Sequence, residues 1–324
     1  MTTRVPYDPE LVDGLESFRR TLEFEPLVPE TILSYRARFA AGQRSIEDMI
    51  GDRPITAEDR VVPGPPGEPD ITVTIVRPKD PRPAAPGMYA IHGGGMILGS
   101  RLGALDSVFD WVVEHGVVGV SAEYRLAPEH PDPAPVEDCY AGLVWMGEHA
   151  AELGVDPGRI LVMGGSAGGG LSAGVALLAR DRGGPVLAGQ ALITPMLDDR
   201  NDTVSSRQYD GVGIWDRSFN YTGWNALLGA DRRGGPDVSP YAAPARATDL
   251  SGLAPAYIEA GAAEVFRDEA VRYASGIWAA GGQAELHVWA GGFHGFNGIV
   301  PEAQVSRAAN AVRDSWIRRT LRLG

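Results

Sequence analysis

Residues Ile160-Leu161-Val162-Met163-Gly164-Gly165-Ser166-Ala167-Gly168 decide how the rest of the chain is read. Four apolar residues lead into a serine that has glycine two positions before and two positions after it. The spacing Gly164-x-Ser166-x-Gly168 fits a sharp turn from strand to helix that lifts a serine hydroxyl clear of a sheet edge, as a nucleophile requires. Such a turn brings backbones together, so the positions on either side of it have no room for a side chain. The helix that follows aims its positive end at negative charge developing on a group under attack. In a chain with 42 glycines the pattern alone is weak. Its place directly after an apolar strand and before a helix gives it weight. Gly168-x-Gly170-x-x-Ala173 also resembles a dinucleotide-binding turn, but Ser166-Ala167 separate it from the strand and no strand ends in an acid about 20 residues later.

The next signal upstream is His92-Gly93-Gly94-Gly95, which closes the short strand Met88–Ile91. Consecutive glycines let backbone amides converge on one point, and after the third strand of such a fold they form part of an oxyanion hole. The expected donors are the amides of Gly94, Gly95 and Ala167, with Gly93 a further candidate. A phosphate loop is disfavoured because no Gly-Lys-Ser/Thr ending follows. His92 itself reads as a residue that fixes the loop.

The six histidines sort by position. His115 ends a helix, His130 sits in a Pro-rich loop, His149 lies in a helical stretch and His287 inside a strand; each reads as structural. His294, in Gly291-Gly292-Phe293-His294-Gly295-Phe296, falls between the last strand and the last helix, where a general base belongs in the order nucleophile, acid, base. The acid belongs after the preceding strand, Pro255–Ala260. There Glu264 comes first, while Asp268 and Glu269 fall in a helix's first turn, where carboxylates are favoured anyway. Glu264 is the choice and Asp268 the alternative.

The apolar runs Ile71–Arg77, Met88–Ile91, Val117–Ala122, Ile160–Met163, Ala188–Thr194, Pro255–Ala260 and Glu285–Trp289 are short, and several are continuously apolar, as strands buried on both faces are. Between them lie helical stretches: Val136–Leu153, Gly170–Arg182, Val265–Ala280 and Pro301–Leu323. This alternation predicts an α/β fold with a mostly parallel sheet. Before it, Asp8-Pro9 starts a helix with Leu11, Leu15, Phe18 and Leu22 on one face. A second begins near Pro29 and carries Ile32, Leu33, Tyr35, Arg36 and Phe39. Pro63–Gly67 and Pro81–Gly87 read as loops. Leu197–Gly229, rich in polar residues and holding Trp215, Phe219, Tyr221 and Trp224, interrupts the rhythm as a binding or lid element would.

Composition narrows the function. The 324 residues carry 29 Lys and Arg against 42 Asp and Glu, a formal charge of −13, which repels phosphate backbones and anionic lipid. Lys79 is the single lysine, so chemistry needing a second one is excluded. The single cysteine, Cys139, excludes an internal disulfide and multi-cysteine metal sites. No stretch approaches the roughly 18 apolar residues of a spanning helix, and the N-terminus lacks a signal peptide's apolar core, so a cytoplasmic location is expected.

Five marks in order carry a family resemblance: His92-Gly93-Gly94-Gly95; Tyr124-Arg125-Leu126-Ala127-Pro128-Glu129-His130-Pro131; Gly164-Gly165-Ser166-Ala167-Gly168-Gly169; Arg267-Asp268-Glu269; and His294-Gly295-Phe296. After about residue 60 the chain resembles the hormone-sensitive-lipase-like (bacterial family IV) esterases of the α/β-hydrolase superfamily. The resemblance implies an α/β-hydrolase fold, a mostly parallel central sheet flanked by helices with a helical cap. It divides the chain into a cap segment at 1–50, core at 51–196 and 231–324, and a cap insertion at 197–230. It implies a serine carboxylesterase for short- to medium-chain acyl esters, with Ser166 as nucleophile, His294 as base and Glu264 as orienting acid. Met96, Ile97, Tyr209, Trp215, Phe219, Trp224 and Phe293 are candidate pocket residues. No metal or cofactor is expected, the partner is a small-molecule ester rather than nucleic acid or membrane, and a homodimer stays open. Other readings on the same scaffold are a non-catalytic small-molecule receptor, or an amidase, lactonase or acyltransferase with the same triad. Three positions depart from the family: Glu264 where Asp is commoner, Gly165 where Asp or Thr is frequent, and Met96 where an aromatic is common.

Overall fold

In the computed structural model, which describes residues 3–21 and 25–323, the seven apolar runs and one further strand form one eight-stranded sheet. Its strands are β1 (Ile55–Val62), β2 (Ile71–Pro78), β3 (Ala85–Ile91), β4 (Val118–Ala122), β5 (Val155–Gly165), β6 (Leu187–Ile193), β7 (Ala256–Gly261) and β8 (Ala284–Trp289). They lie in the order β1-β2-β4-β3-β5-β6-β7-β8. β2 runs antiparallel to both β1 and β4, and every other neighbouring pair is parallel.

The helices are α1 (Pro9–Thr21), α2 (Ile32–Gly42), α3 (Ile46–Ile50), α4 (Arg101–Leu105), α5 (Phe109–His115), α6 (Ala134–Glu148), α7 (Ala150–Leu153), α8 (Ala167–Arg182), α9 (Val204–Gln208), α10 (Arg217–Leu228), α11 (Arg267–Ala279), α12 (Phe296–Ile299) and α13 (Gln304–Leu321). Side chains alternate between faces along a strand, and both faces are covered here. Tyr89 and Ile91 of β3 and Ile160 and Val162 of β5 join Leu143 of α6 and Val175 of α8 in one core. Met88, Ala90, Leu161 and Met163 face the other way, onto Leu105, Val108 and Val112 and onto Trp316 and Ile317 of α13. Double coverage therefore makes these runs continuously apolar instead of alternating.

The structure differs from the sequence reading in several places. β1 carries no apolar run: only Ile55 and Val62 are buried, because the strand lies at the sheet edge. Ala85-Pro86-Gly87, read as loop, opens β3. A register shift between Ala85 and Gly87 accommodates the proline, which has no amide to donate. The stretch read as one helix over Val136–Leu153 breaks at His149, and α13 starts at Gln304, whose amide donates to Glu10 Oε2 at 2.7 Å. α1 does start at Pro9, with Asp8 Oδ1 accepting from the Glu10 amide at 2.9 Å. Leu22, assigned to its apolar face, lies outside the described residues. On α2, Ile32 and Tyr35 point inward while Leu33 and Phe39 are exposed.

The N-terminal segment and the 197–229 segment pack on each other. Thr222 Oγ1 donates to the Leu27 carbonyl at 2.7 Å, Tyr209 Oη donates to the Val5 carbonyl at 2.6 Å, and the Tyr35 and Phe219 rings meet edge to face. Among the described residues no helix is long and apolar enough to cross a membrane.

Candidate active site

Ser166 occupies the single residue between β5 and α8, at φ 57° and ψ −123°. A non-glycine residue is strained there and persists only where its surroundings hold it. The Ser166 amide donates to the Ile193 carbonyl at 2.8 Å, and its own carbonyl accepts from Gly170 and Met196, each at 3.0 Å. The flanking glycines are required by contact. A Cβ on Gly164 would lie 2.4 Å from the Gly168 carbonyl, and one on Gly168 would lie 2.1 Å from the Ile91 oxygen. Gly165 is different: a Cβ there meets only the Ile193 oxygen, at 3.9 Å.

His294 follows β8 on a loop turned by Gly291 (φ 70°) and Gly295 (φ 76°). Its Nε2 lies 3.0 Å from Ser166 Oγ and its Nδ1 lies 2.6 Å from Glu264 Oε2. Glu264 is buried just beyond β7, and its other oxygen accepts from the Gly261 amide at 3.1 Å. The two loops are seated on each other: a Cβ on Gly261 would lie 2.0 Å from the Gly292 oxygen, and the Ala263 amide donates to that oxygen at 2.9 Å. The Phe266 ring meets the imidazole edge to face. Asp268 is engaged elsewhere, accepting from the Ser205 amide at 2.8 Å and from Arg267. Glu269 is fully buried and accepts from the Leu197 amide at 2.7 Å; burial pushes its carboxyl well above the usual range.

The glycine loop after β3 adopts conformations open mainly to glycine, with Gly94 at φ 110° and Gly95 at φ 63°. The Gly94 carbonyl accepts from Ile97 and Leu98, which leaves the loop tightly curled. Among the described residues no protein acceptor takes the amides of Gly94 or Gly95. Ala167 is the first residue of α8, so its amide has no acceptor within the helix. His92 stacks on Tyr124 with ring centroids 4.0 Å apart, and its Nδ1 lies 2.8 Å from the Gly93 carbonyl. Burial pushes this imidazole down to about 4, so it is neutral near pH 7. Arg36 of α2, read from the sequence only as part of a helix face, reaches the loop's far end. It donates to the carbonyls of Ile97 and Ala127, both at 2.7 Å, and forks onto Glu129. Both ends of that fork were legible, but not that they meet.

The expected pocket residues separate into groups. The Trp215 ring lies directly over Gly95, where an added Cβ would come within 2.3 Å of it, and Phe219 meets Trp215 edge to face. Met96, Ile97 and Trp224 are fully buried in the core beneath. Tyr209 and Phe293 gather around Tyr7 from the N-terminal segment. Among the described residues no group of three or more His, Cys, Asp or Glu side chains could hold a metal ion.

The profile of a family described as having the alpha/beta hydrolase fold matches residues 88–298. The chain belongs to that α/β-hydrolase family. This α/β hydrolase is 40% identical over 256 residues to the carboxylesterase NlhH of Mycobacterium tuberculosis, covering 76% of this chain and 78% of the relative. It is 32% identical over 323 residues to the esterase LipI of the same species, covering 92% and 87%. Among solved structures, a bacterial heroin esterase superposes with a TM-score of 0.88 at 38% identity, covering 97% of this chain and 98% of that one. A hyperthermophilic esterase from the archaeon Pyrobaculum calidifontis does so with a TM-score of 0.83 at 33% identity, covering 98% and 99%. The α/β hydrolase is thus a serine esterase of the hormone-sensitive-lipase-like type, acting on small-molecule esters.

Proposed function

We propose that Ser166, His294 and Glu264 are the catalytic triad of this esterase. The observation that carries the reading is the continuous hydrogen-bonded line from Ser166 Oγ through His294 to Glu264, at 3.0 and 2.6 Å. Ser166 Oγ bonds to the ester carbonyl carbon while His294 Nε2 takes its proton, giving a tetrahedral oxyanion. The amides of Gly94, Gly95 and Ala167 receive that oxyanion; one such donor is typically worth about 2.7–4 kcal/mol in the transition state. When the carbon–oxygen bond to the alcohol breaks, His294 returns the proton to the leaving oxygen. Water then attacks the acyl-Ser166 ester by the same route in reverse roles, releasing the acid. Glu264 accepts from Nδ1–H throughout, which keeps Nε2 free to take the proton and stabilises the imidazolium.

Short- to medium-chain acyl esters are the proposed substrates. The cap brings Trp215 down onto the oxyanion loop with Phe219 edge to face against it, which favours compact substrates over lipid aggregates. The matching division of labour assigns 1–50 and 197–230 to the cap and 51–196 and 231–324 to the core. A fluorophosphonate probe tests the nucleophile: it should label the native chain and leave Ser166→Ala unlabelled. Labelling of Ser166→Ala at the native rate would assign the nucleophile elsewhere.

A further inference from the structure

Gly165 stands beside the nucleophile and is the one glycine of the elbow that close contact does not require. A Cβ there has only the Ile193 oxygen near it, at 3.9 Å, and its φ is outside the left-handed region, so an ordinary side chain fits without strain. The open space lies beside a cavity of about 560 Å³ whose lining includes Gly165, Gly93 and Ile193 at the elbow. That volume falls within the roughly 300–1,000 Å³ typical of small-molecule sites. The cavity lies on the α4–α13 side of the sheet, where Met163, Trp111, Ser107 and Arg313 also line it. None of the aromatics of the 197–229 segment lines it.

We propose that this cavity holds the acyl group of the substrate and that Gly165 is the aperture that admits it. The inference rests on Ser166 being the acylated residue. The acyl limb is the one tied to Ser166 by a covalent bond through both half-reactions, so it is the limb whose position relative to Gly165 is fixed. Met163, Ile193 and Trp111 give it an apolar wall. The cation in its lining is already matched, since Arg313 lies 3.6 Å from Glu259 and 3.7 Å from Asp314. The group accepted is therefore uncharged and apolar, and an acyl chain ending in a carboxylate finds no unpaired cation there.

The experiment compares nitrophenyl acetate, butyrate and octanoate on the native chain, Gly165→Val and Ser107→Phe, with fluorophosphonate labelling of each in parallel. Gly165→Val should lower the octanoate-to-acetate ratio of kcat/KM at least about tenfold, the scale of a pocket that loses room for a few methylenes. Ser107→Phe, on the α4–α5 connection that also lines the cavity, should likewise lower the octanoate-to-acetate ratio. Variants that label normally and keep native ratios would overturn the acyl cavity while leaving Ser166 as nucleophile. So would a set of butyrates with methyl, hexyl and naphthyl alcohols that responded to Gly165→Val in place of the acyl series. A native chain that resisted the probe would overturn the cavity and the triad together.

Discussion

Glu264 and His294, 30 residues apart in the chain, meet at 2.6 Å, whereas the neighbouring carboxylate Asp268 is spent on the Ser205 amide and Arg267. Glu264→Gln should therefore cut kcat by roughly 10³–10⁴, as loss of the orienting carboxylate does in other triads. Asp268→Asn should cost activity far less and act mainly through stability. Steady-state kinetics on the two variants settles the order, and the reverse order would move the acid's role to Asp268.

Ser166 holds a backbone conformation, φ 57°, that glycine adopts freely. Such strain is worth about 1–3 kcal/mol, against about 0.5–1 kcal/mol of extra chain entropy lost by a glycine. Ser166→Gly should be inactive yet more stable than the native chain by about 1 kcal/mol, read from urea unfolding. Equal or lower stability would mean that the elbow stores no strain.

The three elbow glycines should respond unequally to alanine. Gly164→Ala and Gly168→Ala drive a methyl into backbone at 2.4 and 2.1 Å and should cost at least about 3 kcal/mol or abolish folding. Gly165→Ala should unfold within about 1 kcal/mol of the native chain. Thermal melts of the three variants provide the comparison.

Burial holds the His92 imidazole at about 4, opposed by its bond to the Gly93 carbonyl. An unfolded histidine titrates near about 6.5, so between those values the unfolded chain binds the extra proton. The stability linked to His92 is complete above about pH 6.5 and is lost as pH falls toward about 4, by up to about 3 kcal/mol. His92→Asn should be less stable at neutral pH but flatter across that window. Urea midpoints at a series of pH values would show an unchanged slope if His92 were not the group responsible.

Soluble butyrate esters should be hydrolysed faster than an emulsified long-chain triglyceride. The opposite order in a pH-stat assay would contradict the proposed substrate class.

The strands β2 to β7 were legible because coverage on both faces writes them as short apolar runs, and β8, half-buried at one edge of the sheet, was read from Glu285–Trp289; β1 at the other edge spends its middle on Glu58, Asp59 and Arg60 and leaves no such trace. The order of Ser166, Glu264 and His294 was legible from the loops that follow β5, β7 and β8. The walls of the site were not. Aromatic residues in the 197–229 segment announce bulk but not depth, and Trp224 is entirely inside the core. The acyl cavity we infer owes its opening to a missing side chain at Gly165, and a glycine in sequence does not say which space it leaves empty.

Glu10 accepts from the Gln304 amide, 294 positions away, and the Asp8 amide donates to the Gly291 carbonyl beside His294. A stretch around residues 8–10 thus finds its partners some 280 to 294 positions further along the chain. Contacts so distant along the chain close late, because a very large loop must be ordered before they form. The core helices and sheet can assemble while the N-terminal segment is still searching. Recovery of far-UV circular dichroism during refolding should accordingly run ahead of recovered turnover, and enzymatic competence should mark the moment these two distant stretches join.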